Sequence, residues 1–336
     1  MDKIHAQVEA ILSPVYLVGG SVRDELMGVE PKDYDFITPH KPDMIEHKIR
    51  EVKRRPFLTG KRFGTIGVKL GGHMIEITTF RTERYRTGNR KPEVEFVSDI
   101  ADDLSRRDFT INAIAKRGNE LIDPFNGRGD ITDRVIRCVG AAVLRFGEDP
   151  LRMLRAARFS AQLGFAIERE TYESAKKMSA MILYVSKERW VAELDSLLVS
   201  PDVHGGLRSL MDMGLLRFMI PELVVQRGQK SDAHVDTHDM WEHTVAITSL
   251  TPCDAVVRWA ALLHDIAKHF VRTEQNGQIT YGAYEMLGSE MVLRLGKYLR
   301  WSNKRIEEVS ELVRYQSDDA NPIRDAHLRM PGKIEE

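Results

Sequence analysis

Leu17-Val18-Gly19-Gly20-Ser21-Val22-Arg23-Asp24, followed by Asp33-Tyr34-Asp35, carries the most information in this chain. Val15 to Val18 is a short apolar run of strand type. Gly19 and Gly20 allow a tight turn and let a ligand come close to the backbone. Ser21 suits the N-cap of a helix running through Met27. The exposed amides at such a helix start favour an anion, for example a triphosphate held near Gly20 and Arg23. After a return through Gly28 and Pro31, Asp33 and Asp35 stand two positions apart. On a strand that spacing directs both carboxylates to one face and Tyr34 to the other. A carboxylate pair beside a phosphate grip suits Mg²⁺ bridged to substrate phosphates, the arrangement that two-metal nucleotidyl transfer uses. A Gly-Gly turn or an Asp-x-Asp strand alone is common without either role. Their order and closeness carry the reading.

Working outward, 336 residues predict two or more structural units, and a 42% hydrophobic content suffices for real cores. The net charge of −1 gives no global basic field, so any RNA contact must use a local patch. The only cysteines, Cys138 and Cys253, imply a reducing compartment and no disulfide framework. The start lacks a signal-peptide pattern, and no apolar run approaches ~18 residues. A soluble, cytoplasmic protein with no membrane partner is therefore expected.

Residues up to about 125 alternate short strands with helices. Thr65–Leu70, a Gly71-Gly72 turn and Met74–Phe80 form a predicted hairpin. Glu76 on its second arm could project toward Asp33 and Asp35. Arg81 to Pro92 is polar and glycine-containing, and reads as a mobile loop. A helix is expected over Asp108–Ala115, then a strand near Leu121–Asp123. Beyond Gly129 the apolar period becomes helical through Asp149–Leu163, Tyr172–Met181 and Lys187–Leu198. Asp232–Asp236 is a polar break before a second helical, histidine-bearing unit. The fold class is α+β: a mixed sheet with helices over 1–128, an all-helical neck and body over 129–228, and a helical tail over 229–336.

Two further constellations carry chemistry. In Arg106-Arg107-Asp108-Phe109-Thr110-Ile111-Asn112, the arginines can hold phosphate, and Asp108 can cap a helix while orienting an arginine or a ribose hydroxyl. The bland alternative is a solvated helix start. In Glu148-Asp149-Pro150-Leu151-Arg152, one helix would make Asp149 and Arg152 neighbours, and likewise Glu148 and Arg152. The bland alternative is an exposed ion pair. Cytosine and adenine both present an exocyclic amino donor beside a ring-nitrogen acceptor. Asp149 can accept from the first and Arg152 can donate to the second, whereas guanine and uracil present the reverse. Arg155 and Arg158 extend the basic stripe toward phosphates.

Over roughly residues 13 to 225 these motifs, in this order, resemble the class II tRNA nucleotidyltransferases: the CCA-adding enzymes and the related bacterial poly(A) polymerases. The resemblance implies a nucleotidyltransferase palm in the head, followed by helical neck, body and tail. It implies that Asp33 and Asp35 hold two Mg²⁺ ions, with Glu76 as a third carboxylate. Gly20 and Arg23 would hold triphosphate, and Arg107 and Asp108 ribose and phosphate. Asp149 and Arg152 would serve as the amino-acid template for the incoming base, with Glu148 bracing Arg152. The implied partners are CTP, ATP and the tRNA 3′ end. Arg81 to Pro92 corresponds to the flexible loop implicated in switching from C to A addition.

The tail resembles an HD phosphohydrolase domain through His243 in Trp241-Glu242-His243-Thr244 and His264-Asp265 in Leu263-His264-Asp265-Ile266. That resemblance implies a divalent metal, Ni²⁺, Co²⁺ or Mn²⁺, with Asp318 as the last ligand. Tyr284 departs from it where such domains often carry another histidine, and a helical scaffold without metal is the alternative. His238 and His269 read as surface or core histidines. Four functions stay open: CCA addition, poly(A) synthesis, partial addition of CC or A alone, and an RNA-binding phosphohydrolase.

Overall fold

The computed structural model describes residues 3–31, 33–84, 93–229, 239–276 and 278–330. They fall into two compact units, residues 1–149 and 150–336.

The first unit contains helices α1 (Lys3–Ile11), α2 (Gly20–Leu26), α3 (Pro42–Glu51), α4 (Ile100–Ser105), α5 (Gly127–Asp133) and α6 (Ala142–Glu148). Its strands are β1 (Tyr16–Val18), β2 (Tyr34–Thr38), β3 (Pro56–Phe57), β4 (Thr65–Leu70), β5 (His73–Thr79), β6 (Arg81–Arg84), β7 (Glu93–Phe96), β8 (Ala115–Arg117) and β9 (Glu120–Ile122). Seven strands form a mixed sheet in the order β3-β4-β5-β2-β1-β8-β9. Only the central β2–β5 pair is parallel.

The sheet is covered on both faces because consecutive strand residues feed opposite sides. Leu17, Tyr34, Phe36, Ile75 and Ile77 join Val8 of α1 and Ile45 and Ile49 of α3 in the larger core. Each such side chain, fully buried, contributes about 1.5–3 kcal/mol. Val18 and Ile37 instead join Phe80 and Leu104 in a smaller cluster. By the same alternation Asp35 shares the face of Ile37. The β4–β5 hairpin closes through Gly71 and Gly72, both at positive φ, with Leu70 opposite His73.

Three local expectations are corrected. The first concerns Ser21: α2 begins at Gly20 with Gly19 at its cap, so Ser21 lies inside the helix. The second concerns Asp108–Ala115, which is not a helix. A single 3₁₀ turn covers Thr110–Asn112, because β1 recruits Ala115 and Lys116 as strand and Phe109 bridges to Cys138. The third concerns Arg81 to Pro92, read as loop. Its first part is β6, laddered to β7 from Arg81 opposite Phe96 to Arg84 opposite Glu93. Residues 85–92 lie outside the described residues.

The first unit extends past residue 128 for a steric reason. A Cβ at Gly127 would lie 2.2 Å from the Thr110 carbonyl, so α5 sits directly on that turn. Thr110 Oγ1 donates to Asp130 (2.6 Å), and the Thr110 amide donates to the Arg137 carbonyl (2.9 Å).

The second unit is mainly helical: α7 (Leu151–Leu163), α8 (Arg169–Met178), α9 (Lys187–Leu198), α10 (Val203–Asp212), α11 (Leu216–Met219), α12 (Pro221–Val224), α13 (Met240–Leu250), α14 (Ala255–Leu263), α15 (Lys268–Val271), α16 (Tyr284–Tyr298), α17 (Asn303–Arg314) and α18 (Pro322–Leu328). The tail, expected to be helical, also carries an antiparallel ladder of Arg272–Gln275 with Gln278–Tyr281. Trp190, Trp241 and Trp259 are buried, and the indoles of Trp190 and Trp259 donate to the Ile182 carbonyl and to Asp195. The expected break at Asp232–Asp236, and His238, lie outside the described residues. Among the described residues no helix is long and apolar enough to cross a membrane.

Candidate active site

The parallel register of β2 and β5 places Asp35 opposite Glu76. Paired positions on neighbouring strands point to one face, so the two carboxylates emerge side by side. Gly67, which flanks Glu76 on β4, adds no side chain there. Asp33 stands one residue ahead of β2, and both Asp33 and Asp35 are exposed whereas Tyr34 is buried. Ser21 Oγ donates to the Asp33 carbonyl (3.0 Å) and accepts from the Asp35 amide (3.4 Å). The glycine turn is thereby tied to the carboxylate strand.

Asp35 is reached by solvent yet has dense protein around it. That partial desolvation raises its carboxyl above the usual range. Glu76 and Asp33 push it further up, while Arg107 pulls it down. Like charges converge here more closely than water alone would favour.

Around this face the arginines are held from within the unit. Arg23 is buried; its Nε and Nη2 donate to Asp24, and its Nη1 to Asn112 Oδ1 (2.8 Å). A Cβ at Gly19 would meet Arg107 Nη1 at 3.1 Å, and one at Gly20 would meet the Arg23 guanidinium at 3.6 Å. The glycines thus leave room for these arginines as well as for a ligand. Asp108 Oδ1 accepts from the Phe109 amide (2.8 Å) and from Asn112 Nδ2 (3.1 Å). Asn112 therefore links Arg23 to Asp108.

The organiser of the arginine pair is Asp103, which the sequence reading missed. It is fully buried and accepts from Arg106 Nη2 (2.8 Å), Arg107 Nη2 (3.3 Å) and the Arg81 amide (3.2 Å). Burial alone would raise its carboxyl, but Arg106 and Arg107 outweigh that and hold it below the ordinary value. Burial in turn draws Arg107 down, opposed by Asp103 and Asp35. The available signal was spacing: Asp103 lies three and four residues before the arginines.

The third constellation differs from the single-helix expectation. Glu148 ends α6, Asp149 is extended (φ −139°, ψ 99°), and α7 starts only at Leu151. Pro150 explains the break, since a residue before proline is driven out of the helical region. Asp149 and Arg152 are therefore not successive turns of one helix. Glu148 pairs with Arg145 Nη2 (2.6 Å), whose Nη1 donates to the Ser105 carbonyl (2.8 Å). Arg155 and Arg158 both pair with Glu193 of α9, and Arg158 also stacks over Phe159 at 4.0 Å.

Residues 15–137 match the poly A polymerase head domain, and residues 164–226 match a probable RNA and SrmB-binding site of polymerase A. CCA-adding enzymes of Latilactobacillus sakei (41% identical over 222 residues) and Staphylococcus aureus MRSA252 (43% over 229) match 66% and 65% of this chain. Residues 15–137 thus form a poly A polymerase head domain. The chain spans about half the length of those curated relatives, 55% and 56%. The Bacillus stearothermophilus CCA-adding enzyme in complex with CTP superposes with a TM-score of 0.69 at 28% identity, over 95% of this chain and 71% of that one. A tRNA nucleotidyltransferase solved with a primer tRNA and an incoming ATP analog shares the fold (TM-score 0.58, 23% identity, 97% and 87% covered). The α+β class, a mixed-sheet head followed by helices, agrees with both.

The nucleotidyltransferase family implies a divalent metal. The carboxylates of Asp35 and Glu76, with Asp33 just ahead of the strand, fit one: they are oxygen donors, the first two side by side on one sheet face, and Glu76 and Asp33 add to the burial that raises Asp35.

In the tail, His243 (α13) and His264 with Asp265 (after α14) come together as expected, but Asp318 does not join them. Asp318 is exposed in the turn after α17, its amide donating to the Tyr315 carbonyl. His327 of α18, missed from the sequence, takes the third place: His243, His264 and His327 bring ring nitrogens within 4.8 Å of one another. Nothing in the sequence pairs His327 with residues more than sixty positions earlier; only the helix packing does. His269 lies in the short α15, half-buried against Phe270.

Proposed function

We propose that this chain adds nucleotides to RNA 3′ ends, completing CCA on tRNA from CTP and ATP without a nucleic-acid template. The observation that carries the proposal is the Asp35–Glu76 register with Asp33 beside it. Asp33, Asp35 and Glu76 would hold Mg²⁺, which when bound supplies a lowered pKa at the attacking 3′-hydroxyl and charge neutralisation at the transferring phosphate. Arg107, fixed by Asp103, presents a guanidinium for phosphate or ribose, and Asp108 with Asn112 holds Arg23 in the same role. Residues 1–128 would carry the chemistry, 129–228 base choice and the grip on the acceptor stem, and 229–336 the tail. The relatives named for CCA addition support this reading, as does the structure solved with CTP. A reducing, cytoplasmic setting accords with two unbridged thiols, Cys138 and Cys253.

One assay tests the proposal. A tRNA lacking its 3′ CCA is incubated with CTP and ATP, singly and together, and its ends are sequenced. Two C residues with CTP alone and CCA with both are expected. An A tract with ATP alone would make it a poly(A) polymerase; CC only or A only would make it a partial enzyme; no extension would leave an RNA-binding role.

Base choice is assigned to Asp149 as acceptor and Arg152 as donor for the C and A edges. The double variant Asp149→Ala, Arg152→Ala should lose discrimination against UTP and GTP by about tenfold or more, of the order of 1–3 kcal/mol for one lost base-edge pairing. Relative kcat/KM for the four nucleotides checks this. A uniform loss for every base would make the pair structural.

A further inference from the structure

Three imidazoles meet in the second unit in an arrangement that hydrogen bonding within the protein does not resolve. His264 Nδ1 lies 2.7 Å from the Ala261 carbonyl, and His327 Nδ1 lies 2.9 Å from the Ile323 carbonyl. A carbonyl only accepts, so both Nδ1 atoms carry the proton and, in the neutral rings, both Nε2 atoms are lone pairs. These lone pairs face the same atom, His243 Nε2, at 3.4 and 3.2 Å. His243 Nε2 can give its one proton to only one of them, and its buried Nδ1 has no partner among the described residues.

Asp265 completes the set. It is fully buried, with Oδ2 lying 3.2 Å from His264 Nε2 and 3.7 Å from His243 Nε2. Its oxygens make ion-pair contacts but no well-formed hydrogen bond. Lys268 also approaches it, its Nζ 2.9 Å from the same Oδ2 and near the rings of Tyr281 and Tyr284.

We propose that His243, His264, His327 and Asp265 form a four-donor site for a tetrahedral transition-metal ion, Zn²⁺ or Co²⁺, that clamps α18 to α13 and α14. Metal–nitrogen bonds of ~2.0–2.1 Å at a tetrahedral centre place ligand nitrogens about 3.3–3.4 Å apart, close to the 3.4 and 3.2 Å from His243 Nε2 to the other two rings, all three lying within 4.8 Å. Each imidazole has its Nδ1–H fixed by a carbonyl, or lacks a competing partner, as ligating histidines do. Four protein donors leave no open position, so the site is structural and activates no water. His327 replaces Asp318 as the fourth ligand. Lys268 contacts the same Oδ2 as the imidazoles, so it would have to shift to Oδ1 of Asp265 when a metal takes Oδ2.

The test uses the full chain, stripped with a chelator and titrated with Co²⁺, followed by the visible ligand-field band of tetrahedral cobalt and by metal analysis. One ion per chain with a tetrahedral band is expected. His327→Gln should weaken binding by at least about tenfold, Asp318→Ala should leave it unchanged, and loaded wild type should melt at a higher temperature than the stripped form. If folded wild type takes up no Co²⁺ or Zn²⁺, or if Asp318→Ala loses the ion while His327→Gln keeps it, the assignment is overturned. An ion that binds without raising the melting temperature overturns the clamp. Should His327→Gln misfold, wild-type stoichiometry and the Asp318→Ala comparison still decide. None of these readouts depends on nucleotide addition, so this site and the head can fail separately.

Discussion

Asp35→Asn should abolish nucleotide addition while leaving the protein as stable at pH 7 as before, or slightly more so. The amide keeps the size of the side chain and removes the charge that sits opposite Glu76 and beside Asp33. A loss of at least about a hundredfold in kcat is expected, about 2.7 kcal/mol of barrier, because a neutral amide cannot replace an ionic oxygen ligand. The stability side follows from the sign of the pKa shift. A carboxyl raised in the folded state contributes stability that is fully present below its unfolded value near 3.8 and lost as pH rises through the higher folded value. At pH 7 the ionised group therefore weighs against the fold, and the amide relieves it. Thermal melts with single-turnover primer extension measure both halves. Addition retained above a hundredth of wild type, with contaminating enzyme excluded, would sink the carboxylate assignment.

Asp103→Asn should destabilise the head strongly. It leaves Arg106 and Arg107 without their buried counter-charge, which typically costs on the order of 3–5 kcal/mol. At about 2–4 °C per kcal/mol, the melting temperature should fall by roughly 6–20 °C. The pH dependence runs opposite to that of Asp35. A depressed carboxyl contributes stability above its unfolded value of 3.8 and loses it as pH falls through the lower folded value. The gap between wild type and variant should therefore be widest near neutrality and close in acid. Addition should fall by about tenfold or more with a raised KM for nucleotide, since Arg107 loses its anchor. Melts that differ by less than about 2 °C at pH 7 would show that Asp103 carries no such load.

These two aspartates also show what the sequence could and could not disclose. Asp33, Asp35 and Glu76 were legible because strand alternation and the Gly71-Gly72 turn are local rules, and β2, β4 and β5 obey them. Lys187–Leu198 was legible to the residue as α9, for the same reason at helical period. Asp103 was passed over because Asp102-Asp103 in a short helix looks like solvated charge; its burial comes from Leu104 joining the smaller core and from β6 lying alongside. Asp108–Ala115 was misjudged because helical propensity there yields to sheet pairing by Ala115 and Lys116. The Asp149 break was readable, since Pro150 signals it, but the apolar period was weighted above the proline. His327 was beyond reach, because tertiary packing alone brings α18 to α13.

The Gly71-Gly72 hairpin has one consequence for how the head can change over generations. The third carboxylate of the site is placed by counting: three residues separate Gly72 from Glu76, and parity decides which face of the sheet Glu76 occupies. Besides the burial of Ile75 and Ile77, the arm carries a constraint of length: a single residue gained or lost between turn and carboxylate would turn Glu76 away from Asp35, or force a bulge, with Asp33, Asp35 and Glu76 all still present. In this part of the gene, the number of codons matters to the site as well as their meaning.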